Sequence, residues 1–467
     1  MTASELADLR GLFESEGQGH VFAHWEALDE SGRERLSRQL ESIDFELLGE
    51  LRGLLTPTAA DAPLPRCEPP ELFPLERDAG ATRQAEDAIR RGEDALSAGL
   101  VGYVLVAGGQ GSRLGFEGPK GMFPVGPVSG CSLFEWHARR LLAARDRYGA
   151  APTWYIMTSD TNDAPTRAFF AEHDHFDLGA DNVRFFTQAM LPALDTSGRI
   201  LMSAKGALFL APNGHGGTLA ALAASGSLEH ARERGIECFS YLQVDNPLGR
   251  PADPLFIGLH LIEGAMMSNK TVAKRDAAEK VGVIGRVDGK LGCIEYSDLP
   301  DELRNARDAS GALLFRAGNT ASHMLDRRFI EELTGDGLRL PWHVARKRMQ
   351  VVDESGATIE VDGVKFETFV FDALGHAERT VSLEVDRALE FSPVKNAEGA
   401  DSPLSTRRDL TRMFAGWIEA AGGEPPPTDE HGHPLVEVDP RFAEDHASFR
   451  ARMPARPEIR RSGHLYR

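Results

Sequence analysis

Between residues 104 and 126 the chain reads VLVAGGQGSRLGFEGPKGMFPVG, an apolar strand that empties into a glycine-rich turn. Gly108, Gly109, Gly111 and Gly115 carry no Cβ, so backbone N–H groups there can approach an anion closely. Arg113 and Lys120 stand in the same loop and supply cationic donors suited to phosphate oxygens. A dinucleotide fingerprint needs a third glycine where Leu114 stands, which disfavours hydride transfer. A Walker loop ends in Gly-Lys-Ser/Thr, and Pro119-Lys120-Gly121 stands here instead. A tight surface turn with solvated Arg and Lys stays open on these residues alone. A second candidate is Asp245 in LQVDNPL, at the end of an apolar strand, where open α/β sheets bind ligands. An Asp-Asn turn initiator before Pro247 fits the same letters.

These residues need a frame to hold them. From Val101 onward the pattern alternates short apolar strands, YVLVAGG, TWYIMTS and FSYLQVD, with helical stretches, which predicts an α/β fold with a mainly parallel sheet and helices on both faces. The helix after the glycine loop starts at Ser132 and Glu135, at capping-box spacing, and carries Leu133, His137, Leu141 and Arg145 at intervals of four. Residues 2–55 show helical spacing, as at Leu36, Leu40 and Ile43, and read as an amphipathic arm. The Pro-rich connector APLPRCEPPELFP follows, then a helix over Ala81–Ser97. Asp288-Gly289 and Asp362-Gly363 each lie between strand-like runs and predict type I′ hairpins forming an antiparallel flap or subsheet beside the parallel core. Beyond Asn396 the composition predicts a small, partly irregular tail, with GGEPPPTDEHGHP as a loop. The expected organisation is an N-terminal helical region over 1–98, a central catalytic domain over 99–397 and a small C-terminal region over 398–467.

The whole chain narrows the function classes. Its 467 residues are enough for a sizeable core, and its net charge of -19 argues against a nucleic-acid partner. A polyanionic ligand must therefore meet a local positive pocket. The four cysteines lack ligand spacing and read as reduced thiols, which argues against a structural zinc site. With no signal-peptide pattern and no membrane-length apolar run, the expectation is a cytoplasmic protein without a membrane partner.

The glycine loop closely resembles the GGxGTRLGxxxPK signature of the eukaryotic-type UDP-sugar pyrophosphorylases, with Ser112 in place of threonine. The likeness runs nearly end to end through GQGHVFAHWEAL, RERLSRQLESID, QAMLPALD, PNGHGGTLAAL, VDNPL, EKVGVIGRVDGK, IEYSDLP, FRAGNTASH and FSPVKNAEGADSP, and is strongest to the UDP-N-acetylglucosamine pyrophosphorylases. The resemblance implies a Rossmann-like (GT-A-like) nucleotidyltransferase fold and the partners UTP, a sugar 1-phosphate and pyrophosphate, with Mg²⁺ held on the nucleotide phosphates by Asp245. It implies nucleotide contacts at Val106, Ala107, Gly108, Gly109, Gln188 and Gly214. Gln188 would read the uracil edge, because an amide both donates and accepts. It implies sugar contacts at His215, Gly282, Glu295 and Asn319. Arg113, Lys120 and Lys395 would be the catalytic cations, Lys395 reaching the reacting phosphate. Oligomeric state is not legible in the sequence.

Two positions depart from the pattern. Gly214-His215-Gly216-Gly217 stands where the N-acetylglucosamine enzymes usually read GNGG, and its histidine is similar to the GHG of UDP-glucose and broad-specificity enzymes. N-acetylglucosamine remains the expected sugar, with glucose and galactose 1-phosphates as alternatives. Thr368 replaces the usual lysine in FETFVFD, so one phosphate contact is expected to be lost. A non-catalytic UDP-sugar-binding protein is the rival from another class. Retention of Arg113, Lys120, Asp245 and Lys395 together argues against it.

Overall fold

The computed structural model describes residues 2–56, 66–454 and 456–467. Residues 62–65 of the Pro-rich connector lie outside them. Two compact units emerge: Met1–Leu64 with Gln188–Thr218 and Arg339–Val370, and Pro65–Thr187 with Leu219–Leu338 and Phe371–Arg467.

The second unit is built on a 10-stranded mixed sheet. Its centre is parallel: Cys238–Gln243, Val101–Val106, Thr153–Thr158 and Val183–Thr187 lie side by side. The first three of these are almost wholly buried, as their Val, Tyr, Leu, Ile and Phe content dictates. Helices Leu133–Tyr148 and Asp163–Glu172 are the crossovers that return the chain for parallel pairing. Antiparallel strands flank this centre. Ala317–Asp326 pairs with Cys238–Gln243 and Met267–Ala273, and the latter runs parallel to Thr380–Glu384.

Helix Ala79–Ser97, predicted from residue 81, crosses helix Pro254–Ile262 at backbone contact. A Cβ on Gly258 would lie 1.7 Å from the Ala88 carbonyl oxygen, and one on Gly92 would lie 1.9 Å from that of Pro254. Backbone cannot yield as a side chain can, so Gly258→Val is expected to cost about 3 kcal/mol or more in urea unfolding. Gly416→Ala, in helix Pro403–Ala420 with nothing within 4 Å of the added carbon, should stabilise by up to about 1 kcal/mol. Equal midpoints for the two variants would contradict the crossing.

In the first unit the N-terminal arm is helical as expected, with helices Ala3–Ser15, Glu30–Glu41 and Phe45–Gly53 capped by Thr2, Asp29 and Asp44. Leu36 and Leu40 pack with Phe13, Trp25, Val364 and Phe366 in one apolar cluster.

Four local expectations need correction. Asp288-Gly289 makes its hairpin, both residues having positive φ (49° and 84°), but its strands extend the large sheet. Asp362-Gly363 makes no turn: both residues sit inside strand Thr358–Glu367, paired with Arg348 and Lys347 of His343–Val352. Glycine is needed there for room, since a Cβ would lie 2.6 Å from Met349 Sδ. The reversal comes earlier, where Asp353 Oδ1 accepts the Ser355 and Ala357 amides and Gly356 supplies φ 85°.

The tail is less irregular than its composition suggests. Ser402 caps the 18-residue helix Pro403–Ala420, and a 3-stranded sheet follows the GGEPPPTDEHGHP loop. At the helix after the glycine loop, Ser132 does cap the Glu135 amide, but the Glu135 carboxylate pairs with Arg139 and does not return to close a capping box.

Candidate active site

Strand Val101–Val106 ends at buried Ala107, whose amide donates to the Met157 carbonyl at 2.9 Å, and the chain then leaves the sheet as a cradle. Two backbone bonds pin the cradle shut, Gly111 N to Gly118 O at 2.8 Å and Lys120 N to Gly109 O at 3.0 Å. Gly115 adopts φ 68°, which a residue with a Cβ resists. From outside the loop, Asn162, wholly buried, donates to the carbonyls of Ala107 (2.9 Å) and Gly109 (3.3 Å), and Ser159 Oγ donates to that of Gly108. With these carbonyls turned toward protein, the amides of Gly108, Gly109 and Ser112 have no protein acceptor among the described residues. They are the anion-binding groups expected at such a turn.

Two cations stand at this cradle. Arg113 is exposed and makes no ion pair among the described residues. Lys120 is only 16% exposed and lies 3.6 Å from the Asp245 carboxylate. The loop's far end is anchored by the C-terminal part of the unit. Arg407 donates to the Pro124 and Val125 carbonyls, and the buried Glu437 carboxylate accepts the Val128 and Ser129 amides, both at 2.8 Å.

Asp245 follows strand Cys238–Gln243, and side chains of helix Leu133–Tyr148 hold its loop. His137 Nε2 bonds to the Val244 carbonyl at 3.1 Å, while Trp136 Nε1 and Arg140 Nε donate to that of Pro247 at 2.9 and 3.2 Å. The amide of Val394 donates to the Asp245 carbonyl at 2.8 Å, so the segment leading to Lys395 is fastened to the Asp245 loop. Lys395 is exposed, with its ammonium 5.8 Å from the Phe391 ring centre.

Burial pushes the His137 imidazole from 6.5 down to about 4, outweighing the upward pull of its bond to Val244. Below pH 6.5 the unfolded chain takes a proton that the folded chain refuses, so stability is expected to fall as pH drops from 6.5 toward 4, by about 3 kcal/mol in all. Buried His260, pushed down to about 3, adds to the same loss. Urea unfolding at stepped pH should show a shallower slope for His137→Gln. An identical slope would mean that His137 titrates normally.

Gly282, Glu295 and Asn319, three of the four residues expected at the sugar, form a second cluster in this unit. Asn319 N donates to the Gly282 carbonyl at 2.8 Å, and Asn319 Nδ2 lies 3.7 Å from Cys293 Sγ. A Cβ on Gly282 would stand 2.7 Å from that sulfur and 3.5 Å from Glu295 Oε1. Asn319 sits at a bulge in strand Ala317–Asp326, and Ala321 is held there at φ 56° by its amide's bond to Asn319 Oδ1. Bulges of this kind re-aim side chains beside functional sites.

Gln188, Gly214 and His215 belong to the other unit. Gln188 is buried just beyond strand Val183–Thr187. Gly214 has φ 83°, and a Cβ on it would lie 2.4 Å from the Thr368 carbonyl. Wholly buried Thr368 donates from N and Oγ1 to the Asn213 carbonyl and accepts the Gly216 amide. The residue that replaces a family lysine therefore holds the glycine turn together. His215 stacks on Phe369, ring centres 5.2 Å apart, and its Nδ1 accepts the Val370 amide at 3.2 Å.

Sequence reasoning missed Ser159, Asn162 and Glu437, whose roles depend on contacts across 51, 53 or 309 residues of chain. It read His137 only as part of a helical repeat, although a histidine on an apolar face was a signal.

A parallel sheet that opens onto a glycine cradle, with a lysine and a carboxylate beside it, defines a nucleotidyltransferase class of α/β protein. Residues 82–466 match the family described as UTP–glucose-1-phosphate uridylyltransferase, and the chain belongs to that family. It is 38% identical over 455 residues to the UDP-N-acetylhexosamine pyrophosphorylase-like protein 1 of Xenopus tropicalis, covering 93% of this chain and 88% of that protein. It is 34% identical to the UDP-N-acetylglucosamine pyrophosphorylase of Saccharomyces cerevisiae, covering 89% of this chain and 92% of the yeast protein. The crystal structure of the UDP-N-acetylglucosamine pyrophosphorylase from Trypanosoma brucei superposes with a TM-score of 0.81 at 28% identity, covering 97% and 95% of the two chains. No helix among the described residues is long and apolar enough to cross a membrane, and the four cysteines form no disulfide.

Proposed function

We propose that the chain joins UTP to a sugar 1-phosphate, releasing pyrophosphate and a UDP-sugar, with N-acetylglucosamine 1-phosphate the preferred substrate and the cytoplasm its compartment. The observation that carries this reading is the Lys120–Asp245 pair, 3.6 Å apart, beside the cradle amides of Gly108, Gly109 and Ser112. A cation, a hard carboxylate and anion-binding amides at one strand mouth suit a nucleoside triphosphate. The names of the yeast and trypanosome relatives support the sugar.

In this reading Val106 and Ala107 of the larger unit hold the nucleoside, and Gly108, Gly109 and Arg113 take its phosphates, while a nucleoside role for Gln188 and Gly214 rests on the family resemblance alone. Gly282, Glu295 and Asn319 hold the sugar, a role for His215 resting on the resemblance alone, and Lys395 reaches the reacting phosphate. Asp245 fits Mg²⁺, which keeps several waters and takes one or two protein carboxylates together with substrate phosphates. Among the described residues no group of three or more His, Cys, Asp or Glu could cage a metal, which agrees with an ion carried in on the nucleotide. When bound, the ion supplies neutralisation of triphosphate charge.

A phosphate oxygen of the sugar 1-phosphate attacks the α-phosphorus of UTP in line, and its P–O bond forms as the bond to pyrophosphate breaks. The nucleophile is already anionic, so no general base is needed. The protein's part is positioning and charge neutralisation by Arg113, Lys120 and Lys395.

His215 bears on the choice of sugar. Its Nδ1 accepts the Val370 amide, so in the neutral ring Nε2 carries the proton. Pyrophosphate release from UTP should be compared for N-acetylglucosamine, glucose and galactose 1-phosphates, in wild type and His215→Asn. We expect the substitution to raise the N-acetylglucosamine-to-glucose ratio of kcat/KM by about tenfold. An unchanged profile would remove His215 from the specificity argument. UTP binding without pyrophosphate release on any of the sugars would favour a non-catalytic binding protein.

A further inference from the structure

Lys270 is 2% exposed and lies in strand Met267–Ala273 of the large sheet. Its ammonium stands 2.6 Å from the Asp253 carboxylate and 2.5 Å from that of Glu390, and 5.4 Å from the Phe256 ring centre. Burying a lone lysine is costly, and burying two carboxylates without it more so, so each member of the triad requires the others.

The triad's connections reach the proposed site on three sides. The Glu390 carbonyl accepts the Asn246 side-chain amide at 2.8 Å, and Asn246 Oδ1 accepts the Ser392 amide at 3.1 Å. Asn246 neighbours Asp245, and Glu390 and Ser392 lead into Val394, whose amide bonds to the Asp245 carbonyl, and then Lys395. On the third side the Lys270 carbonyl accepts Thr320 Oγ1 at 2.9 Å, at the bulge that presents Asn319. Asp253 also caps helix Pro254–Ile262.

We propose that Lys270 is a positioning residue: the buried Asp253–Lys270–Glu390 cluster sets the spacing of the segments that carry Asp245, Asn319 and Lys395. It touches no substrate and acts through those three. The proposal rests on the uridylyltransferase reading.

The test uses the full chain with UTP, Mg²⁺ and N-acetylglucosamine 1-phosphate, comparing Lys270→Met, Glu390→Gln and Asn246→Ala with wild type for thermal midpoint, kcat, both KM values and half-saturating Mg²⁺. Glu390→Gln keeps a hydrogen-bond acceptor for Lys270 and keeps the backbone tie to Asn246. It should lower kcat about tenfold or more and raise the Mg²⁺ requirement, with KM for UTP changed less than about threefold, as removal of an outer-shell partner does. Asn246→Ala cuts the tie without disturbing a charge and should lower kcat to a similar extent. If Lys270→Met yields no folded protein, these two variants decide the matter. Variants that melt earlier but turn over with wild-type kcat and Mg²⁺ response would overturn the positioning role and leave a purely structural ion cluster. Absence of pyrophosphate release by wild type itself would sink the activity, and the positioning role with it.

Discussion

Lys120→Ala should lower kcat by about a hundredfold or more while the chain stays folded, because deletion of one preorganised donor to a transition-state oxyanion costs about 2.7–4 kcal/mol. The backbone prepares a clean experiment. It is the Lys120 amide, not its side chain, that bonds to Gly109 and keeps the cradle closed. The substitution therefore removes the ammonium and leaves the amides in place. It also leaves the Asp245 carboxylate without the cation that stands 3.6 Å from it. Saturating UTP should not restore the rate, since the loss belongs to the transition state. Lys395→Ala should behave similarly, its ammonium being exposed and without an ion pair among the described residues. Pyrophosphate release under saturating substrates is the measurement, and turnover within about threefold of wild type would take the tested lysine out of the chemistry.

Asp245→Asn is expected to have an effect as large and of a different kind. The amide keeps the shape and leaves the backbone bond from Val394 intact, but the carboxylate charge proposed to hold Mg²⁺ is gone. We expect kcat to fall by about a hundredfold at ordinary Mg²⁺ and the half-saturating Mg²⁺ concentration to rise about tenfold or more. A Mg²⁺ titration of initial rate separates this from loss of a simple phosphate contact. If the titration curve keeps its midpoint, the metal is held elsewhere.

The parts of the fold that could be read from the sequence are those set by neighbouring residues. The apolar runs at 101–106, 153–158 and 238–243 bury themselves wherever they land, and Asp29, Asp44 and Ser132 cap helices through amides two or three residues away. Asp288-Gly289 formed its turn for the same reason. Asp362-Gly363 carried the same letters and made no turn, because both residues pair with Arg348 and Lys347 on a strand the local window does not include, and the glycine there makes room for Met349. Helix Pro403–Ala420 was hidden by averaging over a tail rich in Pro, Gly and charge, although its Ser402 cap was present in the letters. The cradle's glycines and lysine announce themselves by type and spacing. Asn162 and Lys270 do not, since an asparagine 53 and 55 residues from the loop carbonyls it bonds, or a lysine 120 residues from the Glu390 carboxylate, leaves no local pattern.

The Glu437 carboxylate that receives the Val128 and Ser129 amides is joined to them across 309 residues of sequence. During synthesis the ribosome makes the cradle early and this fastening late. A nascent chain stalled between residues 407 and 437 would carry every glycine and cation of the loop and the Arg407 anchor, yet leave the Val128 and Ser129 amides hydrated. The carboxylate that fixes this stretch of backbone thus reaches it only after more than 300 further residues have been made.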